Sequence, residues 1–270
     1  MNARLAAPQR AWPRLLGAFA GGGSIGALGG LIGLGGAEFR LPLLIGAFGF
    51  GALEAVILNK AMSLVVVAFA LPFRMSTVPL SALAAHWDII LNLLAGSLIG
   101  AWLGAGWATK LASRTLFRVI AVMLGIIAVV LVLLHDPDGA QVPFHGGALM
   151  MLGTIAGFVI GIFASLLGVA GGELLIPTLV LLFGADIKLA GSLSLAISLP
   201  TMLVGFARYS QDRSFAVLGR NKAFVGIMAI GSIAGAFMGG HLLGLVPSSL
   251  LLPVLGVILL LSAIKVWRHG

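Results

Sequence analysis

The chain has 270 residues, of which 60% are hydrophobic and only 9% are charged, against about 25% charged in soluble domains. No soluble fold of this length has an interior large enough for so much apolar surface, so lipid must serve as the solvent. The net charge is +8, but Lys and Arg flank apolar runs and form no basic stripe with stacking aromatics, which excludes nucleic acid as a partner.

Taking about 20 apolar residues as one membrane crossing, the first half predicts long helices at 15–34, 55–73, 87–109 and 115–134. A shorter apolar run at 39–50 follows a Gly-rich break. The second half predicts long helices at 147–168, 187–207, 223–245 and 247–267, with a short run at 174–184. The basic, apolar start of the chain fits a cleaved leader poorly, because its apolar run continues into a segment with a second copy downstream. Trp12, Trp87, Trp107 and Trp267 stand at run ends, as in an interfacial aromatic belt. Cysteine is absent, so neither disulfides nor a Cys-based metal site enter the reading.

That second copy is general. A shift of 135 positions brings Gly26, Gly33, Gly36, Glu38 and Pro42 onto Gly161, Gly168, Gly171, Glu173 and Pro177. The same shift brings Ser63 onto Ser198, and Gly96, Gly100 and Gly104 onto Gly231, Gly235 and Gly239. The chain therefore divides into a first transmembrane repeat, 1–135, and a second, 136–270, which together make one domain. The two glycine series, at four-residue spacing, read as faces where helix backbones approach closely.

Charge sets the expected orientation, since Lys and Arg collect on the cytoplasmic side. Arg4, Arg10 and Arg14 place the N-terminus inside, and Lys265 and Arg268 place the C-terminus there. Lys110, Arg114 and Arg118 put one loop inside, and Arg208, Arg213, Arg220 and Lys222 do so for another. The loops at 135–145 and 241–248 lack Lys and Arg and fall outside. Corresponding loops of the two repeats then lie on opposite sides. The expected fold is thus an all-α integral membrane protein of two inverted repeats, each with about four long helices and a short Gly/Pro-broken helix. The broken helix, crossing or re-entering, supplies the odd parity that inversion needs.

The chemistry gathers at the two breaks, GLGGAEFRLP at 33–42 and GVAGGELLIP at 168–177. Glycines let the backbone leave helical geometry, and each proline is expected near the start of the next short helix. Free N–H groups and the positive dipole end at such a start attract anions. Gly36 and Gly171 are therefore candidate substrate-binding positions. Arg40 and Lys60, cations in apolar surroundings, suit an oxyanion, and Asn59 and Ser198 on the next helix of each repeat can donate to one. Glu38 and Glu173, at matching positions, are candidates for proton coupling. No His spacing suggests a metal, and no cofactor is implied.

The motif G-x-x-x-x-x-x-G-L-G-G-A-E-F-R-L-P at 26–42 and its second copy ending in GVAGGELLIP resemble the TauE/SafE sulfite exporter family. The resemblance spans nearly the whole chain. It implies a bacterial inner-membrane carrier of sulfite or a small organosulfonate, with a small sulfur-containing anion as partner; the paired Glu38 and Glu173 make protons the candidate coupling ion, and a homodimer is compatible with this reading. Competing readings are an integral-membrane enzyme acting on a lipid-linked substrate and an anion channel.

Overall fold

The computed structural model describes residues 11–108, 110, 122, 146–247, 250, 257, 260, 264 and 267. The expected helices at 115–134 and 247–267, and the charged ends of the chain, lie outside this range apart from those isolated positions.

Ten α-helices are described: α1 (Ala11–Ile32), α2 (Ala37–Gly46), α3 (Ala52–Arg74), α4 (Leu80–Ala84), α5 (Trp87–Ala108), α6 (Gly147–Leu167), α7 (Gly172–Phe183), α8 (Ile187–Tyr209), α9 (Ala216–Arg220) and α10 (Lys222–Leu242). No strand occurs among the described residues. Six of the helices (α1, α3, α5, α6, α8 and α10) are long and apolar enough to cross a membrane. Each coincides with a run expected from the sequence. Their outer faces carry exposed Leu, Ile, Phe and Trp, among them Trp12, Trp87 and Trp107 at helix ends, which suits lipid contact. The protein is a multi-pass membrane protein.

The long helices end where the local chemistry requires. Asp186 caps α8, its Oδ1 accepting from the amides of Lys188 and Leu189 at 2.9 and 3.4 Å. α1 closes with the Leu34 amide donating to the Gly29 carbonyl at 3.1 Å, and α6 with Val169 donating to Ala164 at 2.9 Å. Each is the wide closing bond that follows a left-handed glycine: Gly33 has φ 93° and Gly168 φ 65°.

Packing rests on glycine. Gly22, Gly26 and Gly30 of α1 lie against the backbone of Met228, Ser232 and Ala236 in α10, while Gly231, Gly235 and Gly239 lie against Phe19, Gly23 and Ala27. α5 and α6 meet in the same manner: Gly96, Gly100 and Gly104 face Thr154, Phe158 and Ile162, and Gly157 and Gly161 face Leu93 and Ser97. A β-carbon at these positions would meet main-chain atoms, so the helices approach as closely as backbones allow. In both pairs the contact numbers rise together, so α1 and α10 run parallel, as do α5 and α6. α3 and α8 run antiparallel, with Arg74 beside Gly191 and Lys60 beside Gly205. α3 packs on α1, α2 and α10, and α8 on α5, α6 and α7.

Candidate functional site

The two helix breaks meet inside the protein. A β-carbon on Gly35 would fall 2.5 Å from Ala170 Cβ and 3.2 Å from Ser63 Cβ. Gly35 and Ala170 are 135 positions apart, so equivalent points of the two breaks touch. Gly33 packs against Gly191 of α8, and Gly168 against Val56 of α3, again at matching positions. Gly36 (φ 65°) and Gly171 (φ 81°) sit in the left-handed region as N-caps of α2 and α7. Each lets the chain turn sharply into a short helix whose first amides lack intrahelical acceptors.

The prolines are placed differently from the sequence expectation. α2 and α7 begin at Ala37 and Gly172, so Pro42 and Pro177 occupy the sixth position of their helices, not the first turn. The left-handed glycine starts each helix earlier than the proline signal suggests. A proline there removes the hydrogen bond that would reach the carbonyl four residues back, which belongs to Glu38 in one helix and Glu173 in the other.

Of the expected site residues, Arg40, Asn59, Lys60 and Ser198 are all buried. Arg40 donates from Nη1 to Ser63 Oγ at 3.0 Å and from Nη2 to the Gly35 carbonyl at 3.4 Å, which ties the guanidinium to the break. Asn59 Nδ2 donates to the Ala37 carbonyl at 3.1 Å, and its Oδ1 has no hydrogen-bond partner among the described residues. The Ser198 hydroxyl also has none. Lys60 Nζ donates to Ser165 Oγ on α6 at 3.3 Å and lies 5.9 Å from the centre of the Tyr209 ring. No described carboxylate is within ion-pair reach of Lys60. It stands eight residues into α3, about 12 Å from the helix start at 1.5 Å per residue. An amine so deep in a protein spanning a bilayer, with one long hydrogen bond and a ring face, is poorly compensated.

Glu173, the second residue of α7, is buried, and its Oε1 accepts no hydrogen bond among the described residues. The backbone of Glu38 lies in α2, but its side chain is outside the described residues.

Sequence reasoning missed Arg74, Tyr209 and Ser165. Arg74 closes α3 and is fully buried. Its guanidinium donates to Ser192 Oγ at 3.0 Å and to the carbonyls of Gly30, Leu31 and Lys188 at 2.9, 2.8 and 2.9 Å. Tyr209 closes α8, and its hydroxyl donates to the Ser165 carbonyl at 2.6 Å. Arg74 and Tyr209 are 135 positions apart, as are their acceptors Gly30 and Ser165. The readable signal for Arg74 is Gly191 on the facing helix, since a β-carbon there would fall 2.6 Å from Arg74 Nη2.

Broken short helices that join between long membrane helices, with cations buried beside the junction, define a class of membrane transport protein. The model of the sulfite exporter TauE/SafE family matches residues 2–131 and 75–266. The chain belongs to that family: it is a membrane transporter of small anions, not an enzyme. No curated protein and no solved structure matches it.

Proposed function

We propose that the protein is a secondary transporter carrying sulfite or a small organosulfonate across the bacterial inner membrane. In this reading the anion sits between the two broken segments, held by Arg40 and Lys60 with Asn59, Ser198 and the helix starts after Gly36 and Gly171. The observation that carries the proposal is Lys60, a buried amine with no described carboxylate beside it, next to the place where the two breaks meet. A tetrahedral or pyramidal oxyanion supplies the acceptors that the protein does not. Glu173, buried with an oxygen that accepts no hydrogen bond, serves as the proton carrier, with Glu38 as its counterpart.

The same reading takes residues 1–135 and 136–270 as inverted repeats with both termini in the cytoplasm. Two independent features support it. Equivalent helices α3 and α8 run antiparallel, the relation expected across a twofold axis lying in the membrane plane. The charge-derived orientation sends α1 and α10 outward and α5 and α6 inward, in agreement with the parallel pairing of each couple. Under that orientation α2 is the inward crossing that makes the repeat odd.

The test is charge movement in proteoliposomes given sulfite, sulfoacetate, sulfate and acetate, with and without a pH gradient. Responses confined to the sulfur oxyanions and altered by the gradient are expected. A response to acetate equal to that for sulfite contradicts the proposal, and so does silence from folded protein.

A further inference from the structure

The side-chain contacts sort the helices into two groups that cut across the sequence halves. One holds α1, α2, α3 and α10; the other holds α5, α6, α7 and α8. Within the groups lie the α1–α10 and α5–α6 glycine faces and the hydrogen bonds of Arg40, Asn59, Asn92 and Ser97. Between them lie the meeting breaks, where the Ser194 hydroxyl of α8 donates to the Gly33 carbonyl at 2.8 Å, and the α3–α8 pair, bridged by two cations of α3. Near one end Lys60 donates to Ser165; at the other Arg74 donates to Ser192 and Lys188. The bridges are 14 residues apart, about 21 Å along the helix, on opposite sides of the meeting breaks.

These bridges are unequal. Arg74 makes four hydrogen bonds of 2.8 to 3.0 Å, two of them to its own group. Lys60 makes one of 3.3 Å to a neutral hydroxyl. An anion arriving at Lys60 offers a charge-assisted bond, stronger than the one it replaces, whereas little could improve on the acceptors around Arg74.

We propose that Lys60 and Ser165 form a latch between the two helix groups that the transported anion itself opens, with Arg74 holding the opposite end shut. The anion takes Lys60 Nζ from Ser165 Oγ, so α3 loses its side-chain hydrogen bond to α6, and the groups part beside Lys60 and Tyr209. Binding and opening are then one event, because the anion binds better to the unlatched form and shifts the population toward it. On the proposed orientation the latched end faces the cytoplasm, which is where an exporter must load. This inference rests on the transporter reading.

The chain lacks cysteine, so paired cysteines can carry gadolinium tags through thioether bonds that sulfite does not cleave. One pair, Gly51→Cys with Ser210→Cys, spans the Lys60 end. The other, Ser76→Cys with Lys188→Cys, spans the Arg74 end. Distances between tags are measured in the purified protein as sulfite is added, and heat of binding is measured on the same sample. The proposal expects the 51–210 distance to lengthen, half-complete at the concentration that half-saturates binding, with the 76–188 distance unchanged. It also expects Ser165→Ala to show the longer 51–210 distance without sulfite, as does Lys60→Met where that variant folds. Sulfite binding with an unmoved 51–210 distance overturns the latch and leaves the transporter reading standing. Absence of sulfite binding overturns both.

Discussion

The two halves of this protein share a backbone plan and differ in charge. Positive-φ glycines at 33, 36 and 49 in one are matched by those at 168, 171 and 184 in the other, and α3 and α8 occupy ranges offset by the same 135 residues. Yet Arg40, Lys60 and Arg74 of the first half correspond to Leu175, Leu195 and Tyr209 of the second. All six are buried. The second half therefore shows what the frame needs in order to fold: leucine suffices at two positions, and a single phenolic donor suffices at the third. What the first half adds at Arg40 and Lys60 exceeds the needs of the frame, and that excess is where chemistry belongs.

The largest effect should come from the third pair, where both halves need a donor. Arg74→Leu leaves one buried and two part-buried carbonyls without this donor, at up to about 1–3 kcal/mol each. The variant should lose several kcal/mol of stability, seen as a large fall in thermal midpoint in detergent, with little folded protein recovered. Tyr209→Phe removes one hydrogen bond and should cost about 1 kcal/mol. A Tyr209→Phe protein as damaged as Arg74→Leu would break the comparison.

Next come the cations that exceed the frame. Lys60→Met should fold at least as well as the parent, because replacing a poorly paired buried charge with an apolar side chain of similar volume is neutral or stabilising. Its transport should fall by about 10- to 100-fold, the worth of a charge-assisted hydrogen bond of about 1.5–3 kcal/mol. Parallel thermal and flux measurements check this, and a variant that unfolds makes Lys60 part of the frame.

A sharper contrast concerns Glu173, whose buried oxygen accepts no hydrogen bond. Glu173→Gln should fold and should flatten the response of transport to a pH gradient. An unchanged gradient response would remove Glu173 from proton coupling. The smallest effect is expected at the exposed Arg220–Glu54 pair, 2.6 Å apart with side chains 62% and 33% exposed. Glu54→Gln should change stability by less than about 1 kcal/mol, within reach of a denaturation series.

What could be read from sequence divides along the same line. Helix positions, the breaks and the glycine faces were readable because lipid imposes length on apolar runs and close packing imposes small residues. Arg40 and Lys60 were readable as buried cations because they interrupt such runs. Arg74 was not, because a cation at the end of an apolar run is the usual sign of an interface; only the facing Gly191 shows that it turns inward. Ser165 and Tyr209 escaped for a related reason, since Ser and Tyr near helix ends have many ordinary uses. The proline positions were misplaced because Gly36 and Gly171 start their helices five residues before Pro42 and Pro177.

The central claim is that the cations added to the first half, and not the shared frame, hold the anion. The direct measurement is sulfite-driven charge movement in proteoliposomes containing the parent protein or Lys60→Met, at matched amounts of folded protein. The account predicts a strong response from the parent and a response at least tenfold weaker from the variant. Equal responses would contradict it and move the site away from the meeting of the two breaks.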